Sequence, residues 1–176
     1  MGSEMCIRDS FIAAARRATS AGYKTIELHG AHGYLIHSFL SPVSNKRTDK
    51  YGGDLSGRMK LAIDISSALR RSISDEMPLF FRVSSTDNLE NGWSIEDSVE
   101  LAKELKKVGV DVIDCSSGGI SGSATAARGK RMPGYQVPFA EKIKQNANIM
   151  TMAVGLITHP EQANQIIKSG KADFVA

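Results

Sequence analysis

Long apolar runs are absent from this chain. Apolar residues make up 41% of its 176 residues. That is enough for a packed core, yet no stretch approaches the ~20 consecutive apolar residues of a membrane-spanning helix. Cysteine is scarce: the 2 cysteines, Cys6 and Cys115, are far apart in sequence. They form neither a disulfide framework nor a zinc-ligand pattern. Cys115 ends an apolar run and reads as a buried thiol in a reducing cytoplasm. Neither sign of charge dominates, since 22 Lys and Arg against 19 Asp and Glu leave a net charge of +3. With no basic block, a nucleic-acid partner is not indicated. The first ten residues have no apolar segment of the kind a secretion signal needs. None of the strand-like segments ends in lysine, which argues against a Schiff-base aldolase. The length also falls short of the roughly 250 residues of a complete β/α barrel.

What the chain does contain is a regular alternation of strand-like and helix-like segments. Phe11 to Ala21 carries small and apolar residues on one helical face, with Ser10 as its expected cap and Gly22 as its stop. Lys24 to Leu28 reads as a strand. Leu55 to Ile73 reads as a helix, with Leu61, Ile65, Ala68 and Leu69 at helical spacing. Leu79 to Val83 is a second strand after Pro78. Ser94 and Asp97 open the next helix as a capping box with Asp in place of the usual Glu or Gln, and Gly109 closes it. Val110 to Cys115 is a third strand, Val137 to Gln145 a short helix and Ile149 to Val154 a fourth strand. Thr158 and Pro160 start a helix that ends near Gly170, and Ala172 to Ala176 begins a fifth strand. Apolar strands separated by helices predict an α/β fold with parallel pairing. Periodicity alone allows an open doubly wound sheet as well as a barrel. Met1 to Asp9 fit no element, so residues 1–9 are expected to be a non-native or disordered leader and 10–176 the domain.

The chemistry-bearing string is Leu28-His29-Gly30-Ala31-His32-Gly33-Tyr34. It places three side chains that can donate a proton while neutral at the carboxyl end of a strand, which is the end where α/β barrels carry their chemistry. In isolation the two histidines read as ordinary loop residues or as a metal pair, but no Cys, Asp or Glu follows at ligand spacing. Tyr34 reads equally as a packing tyrosine. Arg82 stands in an apolar strand, and a buried guanidinium keeps its charge and needs an anionic partner. A carboxylate such as Glu27 or Asp114 is one choice. Gly155, between a strand and a helix, either lets backbone N–H groups approach a phosphate or simply turns the chain. Arg128, Lys130 and Arg131 form a basic cluster, suited to a nucleotide phosphate or to a solvated face. Arg47, Asp49, Tyr51 and Arg58 read as pins for a long loop. The string Gly118-Gly119-Ile120-Ser121-Gly122 lacks the spacing and ending of a nucleotide-binding loop.

Four segments, taken in order, resemble the old yellow enzyme family of flavin-dependent ene-reductases, and within it the bacterial NADPH dehydrogenases with short barrels. They are the histidine-tyrosine string with Phe39-Leu40-Ser41-Pro42 and Asn45 to Gly53 behind it; Phe81-Arg82-Val83-Ser84; Val112 to Gly119 with Pro133 to Ala140; and Ala153 to Thr158. The resemblance implies a partial TIM barrel covering roughly strands 4 to 8 of the eight. It implies FMN as cofactor, NADPH or NADH as reductant, no metal, and hydride transfer from reduced FMN to the C=C bond of an α,β-unsaturated carbonyl or nitro compound. At the matching positions His29 and His32 bind the substrate oxygen and Tyr34 supplies the proton. Arg82 faces the N1–C2=O edge of FMN, and Gly155 helps hold its phosphate. The expected partner is a small enone or nitro substrate in a cytoplasmic, homo-oligomeric parent enzyme, with no nucleic acid or membrane involved. The family's flavin site also uses earlier strands and a Gly-Arg pair after the last strand. This chain lacks both, so it is expected to be a fragment, inactive alone. Two alternatives stand beside this reading: a non-catalytic half-barrel serving as an interaction module, and part of a larger dienoyl-CoA reductase-like flavoenzyme.

Overall fold

Apolar strands and helices with one apolar face alternate along the chain as the sequence pattern dictates. The computed structural model describes residues 2–121 and 131–176. The elements are α1 (Gly2–Ser20), β1 (Ile26–Gly30), α2 (Leu35–Leu40), α3 (Leu55–Arg70), β2 (Leu79–Ser84) and α4 (Ile95–Lys107). β3 (Val112–Ser116), α5 (Val137–Ala147), β4 (Met150–Ala153), α6 (Pro160–Lys168) and β5 (Phe174–Val175) follow.

The strands form one sheet in the order β1-β2-β3-β4-β5, and every neighbouring pair is parallel. A doubly wound sheet reverses its direction of growth partway. Here strand order equals chain order, and right-handed crossovers then bring every connecting helix to one face, as in a barrel. Curvature supports the same reading. Phe80 on β2 and Phe174 on β5 are three strands apart, which in a flat sheet is about 14 Å. Their ring centroids are 5.8 Å apart, so the sheet curls around its helix-free face.

Side chains alternate between the two faces along each strand. The register row Leu28, Phe81, Ile113, Thr151 is buried. Its apolar members belong to a core cluster with Leu61, Ile65, Leu101, Leu105 and Ile143 from the helices. Each such fully buried Leu, Ile or Phe contributes about 1.5–3 kcal/mol. The next row is His29, Arg82, Asp114, Met152 and points the other way, to the concave face. One residue of register therefore separates core from chemistry.

The structure differs from the sequence pattern in four places. Residues 2–9, which fit no element in the sequence, are helical: α1 is continuous from Gly2, and its first part is held by Ile7 packing on the core and by Glu4 pairing with Arg47 at 2.9 Å. Ser10 is accordingly mid-helix, where its hydroxyl donates to the Cys6 carbonyl at 2.8 Å. The cap of α6 is His159 rather than Thr158. The segment after Tyr34, read as loop, contains the short helix α2, which buries Ile36, His37 and Leu40.

Candidate active site

The strand β1 runs two residues later than its apolar pattern suggested, because pairing starts with Ile26 opposite Leu79. His29 is thus a strand residue on the concave face rather than a loop residue, and it sits directly opposite Arg82. After Gly30 the chain turns sharply. His32 takes a left-handed backbone conformation (φ 59°), as does Gly33 (φ 79°). A non-glycine residue there costs energy and must be held by its surroundings.

The hold on His32 comes from the loops after β2 and β3. Its N–H donates to Ser84 Oγ at 2.9 Å, and Ser84 Oγ donates to the Gly118 carbonyl at 2.7 Å. Its ring Nε2 lies 2.6 Å from Ser116 Oγ. A Cβ on Gly33 would stand 2.3 Å from the Gly119 carbonyl oxygen, and one on Gly119 would stand 2.5 Å from His32 Cα. Two glycines therefore let the backbones of the first and third loops touch, which no larger residue permits.

This turn brings the three proton-donating side chains together. The rings of His29 and His32 are 5.2 Å apart, and His29 and Tyr34 meet edge-on at 5.4 Å. Tyr34 is 67% exposed, so its hydroxyl faces the open end of the sheet. Burial lowers the His29 pKa, and the Arg82 guanidinium lowers it further. For His32, burial, then Arg82 and His29, bring the value down to about 4. Both imidazoles are therefore neutral near pH 7, and each carries one N–H.

Arg82 has a carboxylate beside it, the alternative that sequence left open. Its Nε is 3.4 Å from Asp114 Oδ2. The approach attracts charge but is not aligned for a hydrogen bond, and both Arg82 Nε and Asp114 Oδ1 are buried without a hydrogen-bond partner. Asp114 is 1% exposed. Burial pushes its carboxyl up to about 7, against the pull of Arg82 and with help from the neighbouring Glu27 carboxylate. Gly155 has φ 110°, and a Cβ there would lie 2.9 Å from both Gln136 Nε2 and Tyr135 Cε1. Its carbonyl accepts from Gly134 N–H at 2.8 Å. Arg128 and Lys130 lie outside the described residues; the Arg131 guanidinium lies over the Tyr135 ring at 5.7 Å.

Several residues that build this site carried no signal in the sequence. Ser84 and Ser116 look like strand-end serines until their register brings them to His32. His37 and Asp87, fully buried in contact with each other at 2.7 Å, are fifty residues apart in the chain.

The donors present fit a flavin mononucleotide. Arg82 is a cation with an unsatisfied N–H on the concave face, suited to the electron-rich edge of an isoalloxazine ring. Gly155, at a strand-to-helix turn, packs instead against the Gln136 and Tyr135 side chains, a closeness that only glycine allows.

Comparison with known proteins agrees with this chemistry. Residues 5–176 match the NADH:flavin oxidoreductase / NADH oxidase family. An NADPH dehydrogenase from Geobacillus sp. (strain WCH70) is 48% identical over 166 residues, which is 94% of this chain and 47% of that protein. The chain spans about half the length of the curated relatives it matches. Among solved structures, a 2-naphthoyl-CoA reductase superposes with TM-score 0.88 at 29% identity, covering 98% of this chain and 26% of that one. An old yellow enzyme homologue from Zymomonas mobilis superposes with TM-score 0.78 at 22% identity, covering 100% of this chain and 48% of that one. At that identity it speaks for the fold alone, a TIM barrel of which this sheet is a part. The cofactors of such proteins are FMN and NAD(P)H. A match that runs through all five strands of the sheet shows that the chain belongs to the NADH:flavin oxidoreductase / NADH oxidase family.

Proposed function

We propose that the protein to which these residues belong is an ene-reductase: an FMN-dependent NAD(P)H oxidoreductase that reduces the C=C bond of α,β-unsaturated carbonyl or nitro compounds. The observation that carries this reading is the pair of neutral imidazoles 5.2 Å apart with Tyr34 alongside. FMN, when bound, supplies the hydride and is recharged by NADPH or NADH.

The remaining work falls to the chain's own side chains. His29 and His32 bind the carbonyl or nitro oxygen of the substrate through N–H groups. As charge builds on that oxygen their hydrogen bonds strengthen, and donors already in place cost no reorganisation. Their depressed pKa values keep both rings neutral, and each neutral ring retains one N–H to donate. Ser116 holds one edge of the His32 ring, which fixes its aim. Tyr34, exposed and beside His29, holds the proton destined for the α-carbon. Arg82 binds the electron-rich edge of the cofactor ring. The higher identity to an NADPH dehydrogenase than to the CoA-linked reductase supports a simple reductase over a larger dienoyl-CoA reductase-like enzyme. The parent is proposed to be a cytoplasmic homo-oligomer. The 176 residues alone are proposed to be inactive, since their relatives are about twice as long and the concave face here has only one side.

The test uses the full-length gene product with NADPH and 2-cyclohexen-1-one. Enone-dependent NADPH oxidation yielding cyclohexanone is expected. A His29→Ala, His32→Ala double variant should lose about 10²–10³-fold in kcat/KM for the enone, the scale for oxyanion donors. Absence of the saturated product, or a double variant as active as wild type, would reject the reading. FMN retention with enone turnover by the 176-residue chain would reject the inactivity of the chain alone.

A further inference from the structure

Of the two histidines that the reaction does not use, His37 and His159, the first is bonded at both ring nitrogens. His37 lies on α2 and is 0% exposed. Its Nδ1 accepts a hydrogen bond from Gly33 N–H at 2.8 Å. That nitrogen therefore carries no proton. A neutral ring must then carry its proton on Nε2, and Nε2 lies 2.7 Å from Asp87 Oδ1. The tautomer is thus dictated by geometry at both ends of the ring. The Asp87 carboxylate is anchored in turn: its Oδ2 accepts from Ser41 Oγ at 2.6 Å and from Trp93 N–H at 2.8 Å. Burial pushes this carboxyl up, but the hydrogen bonds from His37, Ser41 and Trp93 outweigh burial and hold it below the ordinary carboxylate value.

Gly33 is flanked by His32 and Tyr34, the two site residues that the turn presents. We propose that His37 and Asp87 are positioning residues: the Asp87–His37–Gly33 hydrogen-bond chain ties the His32-Gly33-Tyr34 turn to the loop after β2 and so sets the placement of the His32 ring. The left-handed backbone of His32 supplies the need, since a residue held in that region relaxes when its restraints are removed. The imidazole supplies the means, because it accepts at one nitrogen and donates at the other, and a charged partner makes the second bond roughly twice as strong as a neutral one. An imidazolium at this position would present an N–H to the Gly33 N–H and break the chain. The proposal rests on His32 being a substrate-oxygen donor, but its test does not use the reaction.

The test is ¹⁵N NMR of imidazole-labelled chain, with Trp93 fluorescence as the check on folding. In the wild type at pH 8, His37 should show an unprotonated Nδ1 and a protonated Nε2, as its two hydrogen bonds require. A protonated Nδ1, as the other tautomer or as the cation, overturns the proposal without recourse to any variant. His37→Leu removes both bonds and should move the His32 titration about one pH unit toward 6.5. His37→Asn offers an oxygen where Nδ1 stood; it keeps the Gly33 bond, loses Asp87, and should restore at least half of that shift. A His32 titration indifferent to both variants, with Trp93 emission unchanged, also overturns it.

Discussion

Replacing Asp114 by Asn should change how stability depends on pH. Asp114 is buried on the concave face, and its carboxyl is pushed up from 3.8 to about 7. Between those values the folded chain holds a proton that the unfolded chain has released. Stability then falls as pH rises, by about 1.4 kcal/mol per pH unit, and the interval from 3.8 to about 7 corresponds to roughly 4 kcal/mol. The full contribution is present below the unfolded value and is lost as pH passes the folded one. His32 acts in the opposite sense. Its value is lowered from 6.5 to about 4, so its contribution is complete above 6.5 and is lost as pH falls toward 4. The two slopes oppose each other over much of the same range, and a wild-type curve alone hides both. The informative quantity is the difference between Asp114→Asn and wild type, in which His32 cancels. Asn cannot titrate. The difference should therefore rise from pH 4 to pH 8 by up to about 4 kcal/mol, leaving the variant the more stable protein at pH 8. Urea unfolding followed by the fluorescence of Trp93, the one tryptophan and 1% exposed, gives both curves. A difference constant to within about 0.5 kcal/mol across that range would show that Asp114 is ionised throughout, and the burial argument would fail.

Three other substitutions separate the scaffold from the chemistry. Gly33→Ala drives a methyl to 2.3 Å from the Gly119 carbonyl oxygen at φ 79° and should cost about 3 kcal/mol, whereas Gly53→Ala, at φ 75° with nothing within 4 Å, should cost only about 1 kcal/mol; equal costs in urea unfolding would refute the loop-to-loop contact. Tyr34→Phe should leave stability within about 0.5 kcal/mol, since the residue is 67% exposed. In the full-length enzyme it should lower enone turnover by up to about 10²-fold, and unchanged turnover would assign the proton to solvent.

The strands were legible because a strand covered on both faces has to be apolar in nearly every position, and Leu79–Ser84 and Val112–Ser116 meet that demand. The capping box of Ser94 and Asp97 was legible for a different reason: both of its bonds are local, and both are present. Legibility failed where the deciding contact is distant in sequence. The start of α1 has no helical apolar stripe of its own and is secured by Arg47 from the loop between α2 and α3. α2 is a six-residue helix, too short for its period to register. Within the site, the His29-to-Tyr34 string announced itself as a string. His37 stands in the same stretch but gains meaning only from Asp87, and no spacing rule connects those two positions. Arg82 was visible as a charge in an apolar strand, whereas the coexistence of a carboxylate neighbour with an unsatisfied N–H is a matter of angle, which sequence does not encode in any readable way.

The identity of strand order and chain order has a consequence for how the molecule is made. Each strand docks on an edge laid down just before it, and none has to be threaded between two that are already paired. The sheet can therefore grow in the direction of translation, at the roughly 5–20 residues per second of synthesis. His29 and His32 leave the ribosome with β1 and its turn, before Ser116 and Gly119, which confine His32 and arrive only with β3 and its loop. In the nascent chain the histidine turn is thus written before it is shaped, by a strand that has not yet been translated when the histidines emerge.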